Sequence, residues 1–125
     1  MNEDYVSLEV AKLLKEKGFD WLVNHYYNKF GNFNNTYGTW ENYSDLVGEL
    51  MISAPTLYMA QKWLRETKDI HIMIDVCASG YYTVLWKTNG TFIKTLVDKG
   101  PNDGGVWDSY EYALNTGILE ALKLI

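Results

Sequence analysis

The sequence contains few of the residues that most often carry catalysis, metal binding or cross-linking. Its 125 residues include one cysteine, two histidines and two prolines, and Arg65 is its one arginine. The lone Cys77 excludes an intramolecular disulfide and a CxxC redox or zinc motif. His25 and His71 lie outside any HxH, HxxxH or ExxH spacing, so we expect no metal site and no cofactor.

Long apolar runs and clusters of basic residues are also missing. No stretch approaches the roughly 20 apolar residues that a membrane-spanning helix needs, and residues 1–4 lack the basic and apolar parts of a secretory signal. We therefore predict a cytoplasmic protein with no membrane partner. The net charge of −5 argues against a partner held through phosphates, so no nucleic-acid partner is expected.

Aromatic side chains, in contrast, are abundant. They make up 15% of the chain, with ten tyrosines and five tryptophans. Their large apolar bodies and polar tips suit interfaces and partly wet surfaces as well as cores. The length fits a single domain, residues 1–125, that is large enough to bury a core without disulfides.

Helical spacing and capping residues predict three helices. The first covers residues 6–18 and ends at a glycine. The second covers residues 56–68 and is capped by Thr56. The third begins at Asp108, where Glu111 three positions later completes a capping box. Further along this helix, small residues at positions 113 and 117 would permit a close approach to the sheet or to the second helix.

Three consecutive strands are predicted between the second and third helices. Residues 70–76 alternate apolar and polar side chains. Residues 81–88 and 91–97 are joined by Asn89-Gly90, a pair typical of a two-residue type I′ turn because both positions need positive φ. The predicted class is α+β: an antiparallel sheet with a three-stranded C-terminal meander, covered on one face by two helices, plus an N-terminal helix.

The two-residue turn assigns side chains to the two faces of this hairpin. One face carries Trp86, and we take it as the core side. The other face pairs Leu85 with Lys94 and Lys87 with Phe92, a mixture typical of a half-exposed surface. We therefore predict that this mixed face is available for binding.

The segment 24–43 is rich in asparagine, tyrosine and glycine, with aromatic residues from Phe30 to Tyr43. It is either a hairpin or long loop whose aromatics fold back onto the domain, or a dedicated stacking platform. Flanking residues 19–27 and 46–52 suggest short strands. The irregular composition makes this segment a second candidate interaction surface.

A general-base pair of His71 and Asp75 is disfavoured by geometry. Both belong to one face of a predicted strand, but four residues at about 3.3 Å each separate their Cα atoms by roughly 13 Å. We expect no catalytic residue and no enzyme. The helix–three strands–helix order resembles double-stranded RNA-binding domains, yet Asp108 and Glu111 stand where those domains need basic residues.

Three segments carry a further resemblance: residues 5–19 (YVSLEVAKLLKEKGF), 53–66 (SAPTLYMAQKWLRE) and 120–125 (EALKLI). Together they resemble a recurrent family of short uncharacterised proteins from gut Bacteroidetes genomes and their prophages. That family has no known activity. The resemblance implies a phage or mobile-element context and no mechanism.

The sequence thus predicts a non-enzymatic protein-interaction module with a possible protein partner. The alternative is a small-ligand-binding protein with a pocket between the aromatic loop and the open sheet face. The sequence does not specify the oligomeric state. The predicted binding residues are Trp40, His71, Met73, Tyr81, Leu85 and Phe92.

Overall fold

The computed structural model describes residues 4–35, 51–96 and 107–125. These ranges contain three helices and two three-stranded antiparallel sheets, which confirms the predicted α+β class. The helices are α1 (Leu8–Glu16), α2 (Leu57–Thr67) and α3 (Tyr110–Lys123). The strands are β1 (His25–Asn28), β2 (Phe33–Asn35), β3 (Met51–Ser53), β4 (Ile70–Cys77), β5 (Gly80–Lys87) and β6 (Phe92–Thr95).

The chain divides into two compact units, Met1–Met59 and Ala60–Ile125. The assignment of one domain stays a prediction. None of the helices in the described ranges combines the length and the apolar character needed to cross a bilayer. Trp40 and the greater part of the predicted aromatic segment lie outside the described residues.

In the N-terminal unit, α1 begins at Leu8, two residues later than predicted, and it ends just before Gly18, as predicted. The Ser7 hydroxyl accepts a hydrogen bond from the Val10 amide at 3.3 Å. At the other end Gly18 has φ 94°, and the Phe19 amide donates to the Leu14 carbonyl at 2.9 Å. This six-to-one bond and the two buried side chains that flank it form a Schellman cap, which only a residue tolerant of positive φ can close.

The sheet of this unit has the order β2-β1-β3, with β1 at its centre. The ladder begins at His25, and Phe19 takes part in the α1 cap, so the predicted strand 19–27 is too long. The buried Tyr27 hydroxyl donates to the Val6 carbonyl at 2.7 Å, and burial raises the pKa of this phenol. Beside it, the ring of Phe33 packs against Tyr5 at 5.0 Å and stacks on His25 at 4.9 Å between centroids.

Thr56 caps α2, as the sequence predicts. Its hydroxyl accepts from the Met59 amide at 3.1 Å. Farther along α2, within the C-terminal unit, the Gln61 side chain donates to the Ile72 carbonyl at 2.8 Å. That carbonyl belongs to β4, an edge strand of its sheet, so the helix supplies a donor where the described sheet has no neighbouring strand.

The sheet of the C-terminal unit is the predicted meander β4-β5-β6. Helix α3 packs on it at very short range, because a Cβ built on Gly117 would lie 2.6 Å from Thr83 Cγ2 and 2.8 Å from Ile72 Cγ2. The Thr83 hydroxyl is fully buried and donates to the Ala113 carbonyl at 2.9 Å. The predicted close approach through positions 113 and 117 is confirmed.

The contact between α3 and the sheet shows that the predicted core side of the hairpin is wrong. Ile72 pairs with Leu85 across the β4–β5 ladder, so both side chains lie on the face that α3 covers. Leu85 is 0% exposed, whereas Trp86, on the opposite face, is only half-buried. The predicted mixed face is therefore interior. Its Lys94 ammonium lies 3.9 Å from the Glu120 carboxylate of α3.

The β5–β6 connection also differs from the predicted type I′ turn. The Gly90 amide donates to the Lys87 carbonyl at 2.9 Å, and the Lys87 amide donates to the Thr91 carbonyl at 2.7 Å. Gly90 has φ 94°. Asn89 lacks the positive φ that a type I′ turn requires at both positions, since Asp69 is the one described non-glycine residue with positive φ. The loop therefore has three residues with glycine at the third, and a bulge pairs Trp86 with Phe92.

Helix α3 begins one residue later than predicted. Its N-cap is Ser109, whose hydroxyl accepts from the amides of Glu111 at 3.1 Å and Tyr112 at 3.3 Å. The predicted capping box of Asp108 and Glu111 does not form, because the neighbouring serine occupies the capping position.

The Gly117 contact leads to a stability prediction. We expect Gly117→Ala to destabilise the protein by about 1–3 kcal/mol, because the new methyl group overpacks the α3–sheet contact. The gain in helix propensity, about 1 kcal/mol, works in the opposite direction. The free energy of unfolding from urea titration measures the balance.

Thr83→Ser provides the matched test, because it removes the Cγ2 atom nearest the added methyl and keeps the hydroxyl. The double variant should be more stable than the sum of the two single effects implies. Strict additivity, or a Gly117→Ala variant as stable as wild type, would contradict the packing described here.

Candidate functional site

The face of the C-terminal sheet opposite α3 brings three rings together across its strands. His71 on β4 is the direct cross-strand partner of Trp86 on β5, and Trp86 pairs with Phe92 on β6. The Trp86 and Phe92 rings meet edge to face, with centroids 5.6 Å apart and planes at 78°. We name His71, Trp86 and Phe92 the ring row.

A concave site of about 330 Å³ adjoins the ring row. We name it the sheet cleft. Its lining combines two rings of the row with cationic and small polar residues from the end of α2 and from the β5–β6 loop. The lining residues are Arg65, His71, Trp86, Lys87, Thr88 and Gly90.

Asp69 fixes the loop that forms one wall of this cleft. Its carboxylate accepts hydrogen bonds from the Thr88 amide at 3.2 Å and from the Thr88 hydroxyl. Asp69 reaches that loop from a left-handed backbone conformation, φ 61°, which aspartate tolerates better than most residues. The Thr88 hydroxyl and amide, followed by the Lys87 charge, lower the pKa of this exposed carboxyl group.

The N-terminal unit has a second concave site, of about 410 Å³. We name it the lysine pocket. Helix α1 supplies two of its three lysines and the β1–β2 loop supplies the third. The lining residues are Leu8, Lys12, Lys15, Asn28, Lys29, Gly31 and Ile52.

The β1–β2 loop beside the lysine pocket is closed in the same way as the β5–β6 loop. The Gly31 amide donates to the Asn28 carbonyl at 2.9 Å, and Gly31 has φ 82°. The Asn28 side chain also accepts from the Phe30 amide at 2.9 Å. At the tip of this braced loop Phe30 is 76% exposed, and the Lys29 ammonium lies 5.0 Å from its ring centroid.

The predicted binding residues divide between the two faces of the C-terminal sheet. His71 and Phe92 belong to the ring row, and Met73 is on the same face, opposite Val84. Leu85 is fully buried under α3. Tyr81 shares that covered face, where its ring meets Tyr110 at 5.9 Å. A binding role for these residues stays a prediction, and Trp40 lies outside the described residues.

Sequence reasoning missed Arg65 and Trp86 as members of a site. Arg65 lies on α2, six positions before His71, and being the one arginine of the chain was its only distinguishing signal. Trp86 was missed because its face of the hairpin is predicted to be the core side, whereas α3 covers the opposite face. Within the described ranges, no group of three or more His, Cys, Asp or Glu side chains could hold a metal ion.

Comparisons with known proteins add no assignment to this geometry: no protein-family model, no curated protein and no solved structure matches the chain.

The Asp69 hydrogen bonds generate a pH prediction. The pKa of Asp69 is lowered below its ordinary value of 3.8 in the folded protein. Its contribution to stability is therefore complete above pH 3.8 and is lost as the pH falls through the lowered folded-state pKa. Wild type should lose more unfolding free energy between pH 5 and pH 2.5 than Asp69→Asn, which keeps the side-chain shape and tolerates positive φ. Equal losses in chemical denaturation series would show that this carboxylate is not coupled to folding.

Proposed function

We propose that this protein is a non-enzymatic protein-interaction module that binds its partner through the β1–β2 loop and the lysine pocket. The observation that carries this proposal is the 76% exposure of Phe30 at the tip of a loop held by hydrogen bonds. A large ring on a braced loop loses little conformational entropy on binding, and burying it contributes about 1.5–3 kcal/mol. Aromatic anchors of this kind commonly dominate the affinity of protein interfaces.

The lysine pocket supports a partner of defined chemistry. Three lysines line it, and no carboxylate side chain of the described residues does. Leu8 and Ile52 add apolar surface to its wall. A partner segment that combines acidic residues with an apolar side chain would complement both the charge and the apolar lining.

The resemblance of residues 5–19, 53–66 and 120–125 to prophage-associated proteins supports a phage or mobile-element context. In that context the partner is a host or phage protein. The alternative, recognition of a small ligand in a pocket beside the aromatic segment, involves residues outside the described ranges.

Photo-crosslinking tests the proposal. A benzophenone side chain at position 30 should form a covalent adduct with a discrete partner in cells that express the protein. The same probe at position 58 is the matched control, because Tyr58 is similarly exposed at 64%. The captured protein, once purified, should bind Phe30→Ser at least tenfold more weakly than wild type or Tyr58→Ser.

The charge of the lysine pocket is tested with the same purified partner. Lys12→Glu should weaken binding at low ionic strength, and the loss should shrink as salt is added. Identical adducts from positions 30 and 58, or equal affinity of wild type and Phe30→Ser, would overturn the proposal.

A further inference from the structure

We propose that the sheet cleft of the C-terminal unit binds a small ligand in which an anionic group, a phosphate or a carboxylate, is attached to an aromatic ring. This proposal goes beyond the proposed function and does not rest on it. The lysine pocket belongs to the other unit, and the two sites share no residue.

Charge is the first argument for this ligand. Arg65 and Lys87 line the cleft, and the described residues contribute no carboxylate to its lining, although the chain carries a net charge of −5. Asp69, which precedes β4, does not line the cleft, and its carboxylate accepts two hydrogen bonds from Thr88. Arg65 presents a planar donor group that matches the two oxygens of a phosphate or carboxylate.

The rings of the cleft are the second argument. Trp86 and His71 lie side by side in the lining. Phe92 contacts the Trp86 ring from the β6 side and restricts the indole. An indole exposed in part beside two cations offers a stacking surface for a flat ring next to an anion-binding group.

Size selects a small molecule over a polypeptide segment. A volume of about 330 Å³ lies at the lower end of the range of roughly 300–1,000 Å³ typical of small-ligand sites. It accommodates one ring and one anionic group. A bound peptide would extend well beyond the six lining residues.

Titration monitored by NMR tests this inference. The probes are phenyl phosphate and benzoate, which carry both features, with inorganic phosphate and benzyl alcohol carrying one each. Phenyl phosphate or benzoate should shift the Trp86 indole N–H signal, assigned by its loss in Trp86→Phe, in a saturable manner. Whichever of phenyl phosphate and benzoate binds more tightly should have an affinity at least tenfold higher than inorganic phosphate or benzyl alcohol. The relative affinities of phenyl phosphate and benzoate identify the preferred anionic group.

Charge-neutralising variants on α2 provide the control. Arg65→Gln should weaken binding at least tenfold, whereas Lys62→Gln, which removes the same charge one turn away, should leave the affinity within twofold of wild type. Lys62 lies in an exposed ion pair with Glu66 at 3.8 Å and does not line the cleft. If Arg65→Gln fails to fold by circular dichroism, Lys87→Gln on the exposed hairpin replaces it with the same expectation.

Three results would overturn the inference. They are the absence of a saturable Trp86 shift with both aryl anions, equal affinity for inorganic phosphate and phenyl phosphate, and equal weakening by the Arg65 and Lys62 variants. Each is distinguishable from failure of the proposed function, because the photo-crosslinking and partner affinity depend on residues of the N-terminal unit.

Discussion

The missing side chain of Gly117 is the constraint on which the architecture of the C-terminal unit depends. Without a Cβ, α3 approaches the sheet so closely that Thr83 donates its buried hydroxyl to the Ala113 carbonyl. A buried hydroxyl without a partner would be costly, so the close approach and the hydrogen bond support each other. Once α3 lies there, Ile72 and Leu85 become core, and alternation places Trp86 on the opposite face.

The ring row follows from the choice of core face together with the length of the β5–β6 loop, which has one residue more than predicted. A two-residue turn would have paired Trp86 with Ile93 and placed Phe92 beside Lys87. Because the loop has three residues, the strand shifts by a bulge and Phe92 meets Trp86 instead. A shift of one residue moves a side chain to the other face of a sheet, which explains how a small error in loop length changes a predicted site so much.

The two units use the same loop geometry beside their concave sites. In each, a glycine with positive φ closes a three-residue loop, and a lysine in or next to that loop lines the cavity together with at least one cationic residue of a helix. Both cavities lack a carboxylate lining among the described residues, in a chain whose net charge is −5. Net charge therefore predicts little about local recognition here, because cations are concentrated where the surface is concave.

Local features were determined by the sequence alone. The cap of α1 by Ser7, its end at Gly18 and the cap of α2 by Thr56 each depend on residues within a few positions of one another. The alternation of apolar and polar side chains that predicts β4 likewise depends only on neighbouring residues. Phe92 lies on the face opposite the one predicted for it, because the bulge pairs it with Trp86 instead of placing it beside Lys87.

Only the tertiary structure decided which face of the sheet is core and which residues join the ring row. Both faces of β5 carry apolar side chains, so alternation alone could not choose between Leu85 and Trp86. The choice required Ile72, Thr83 and Gly117 to meet, and these residues are separated in the chain by 11 and 34 positions. A packing contact between distant segments leaves no trace in local periodicity, because it depends on strand register and helix position together.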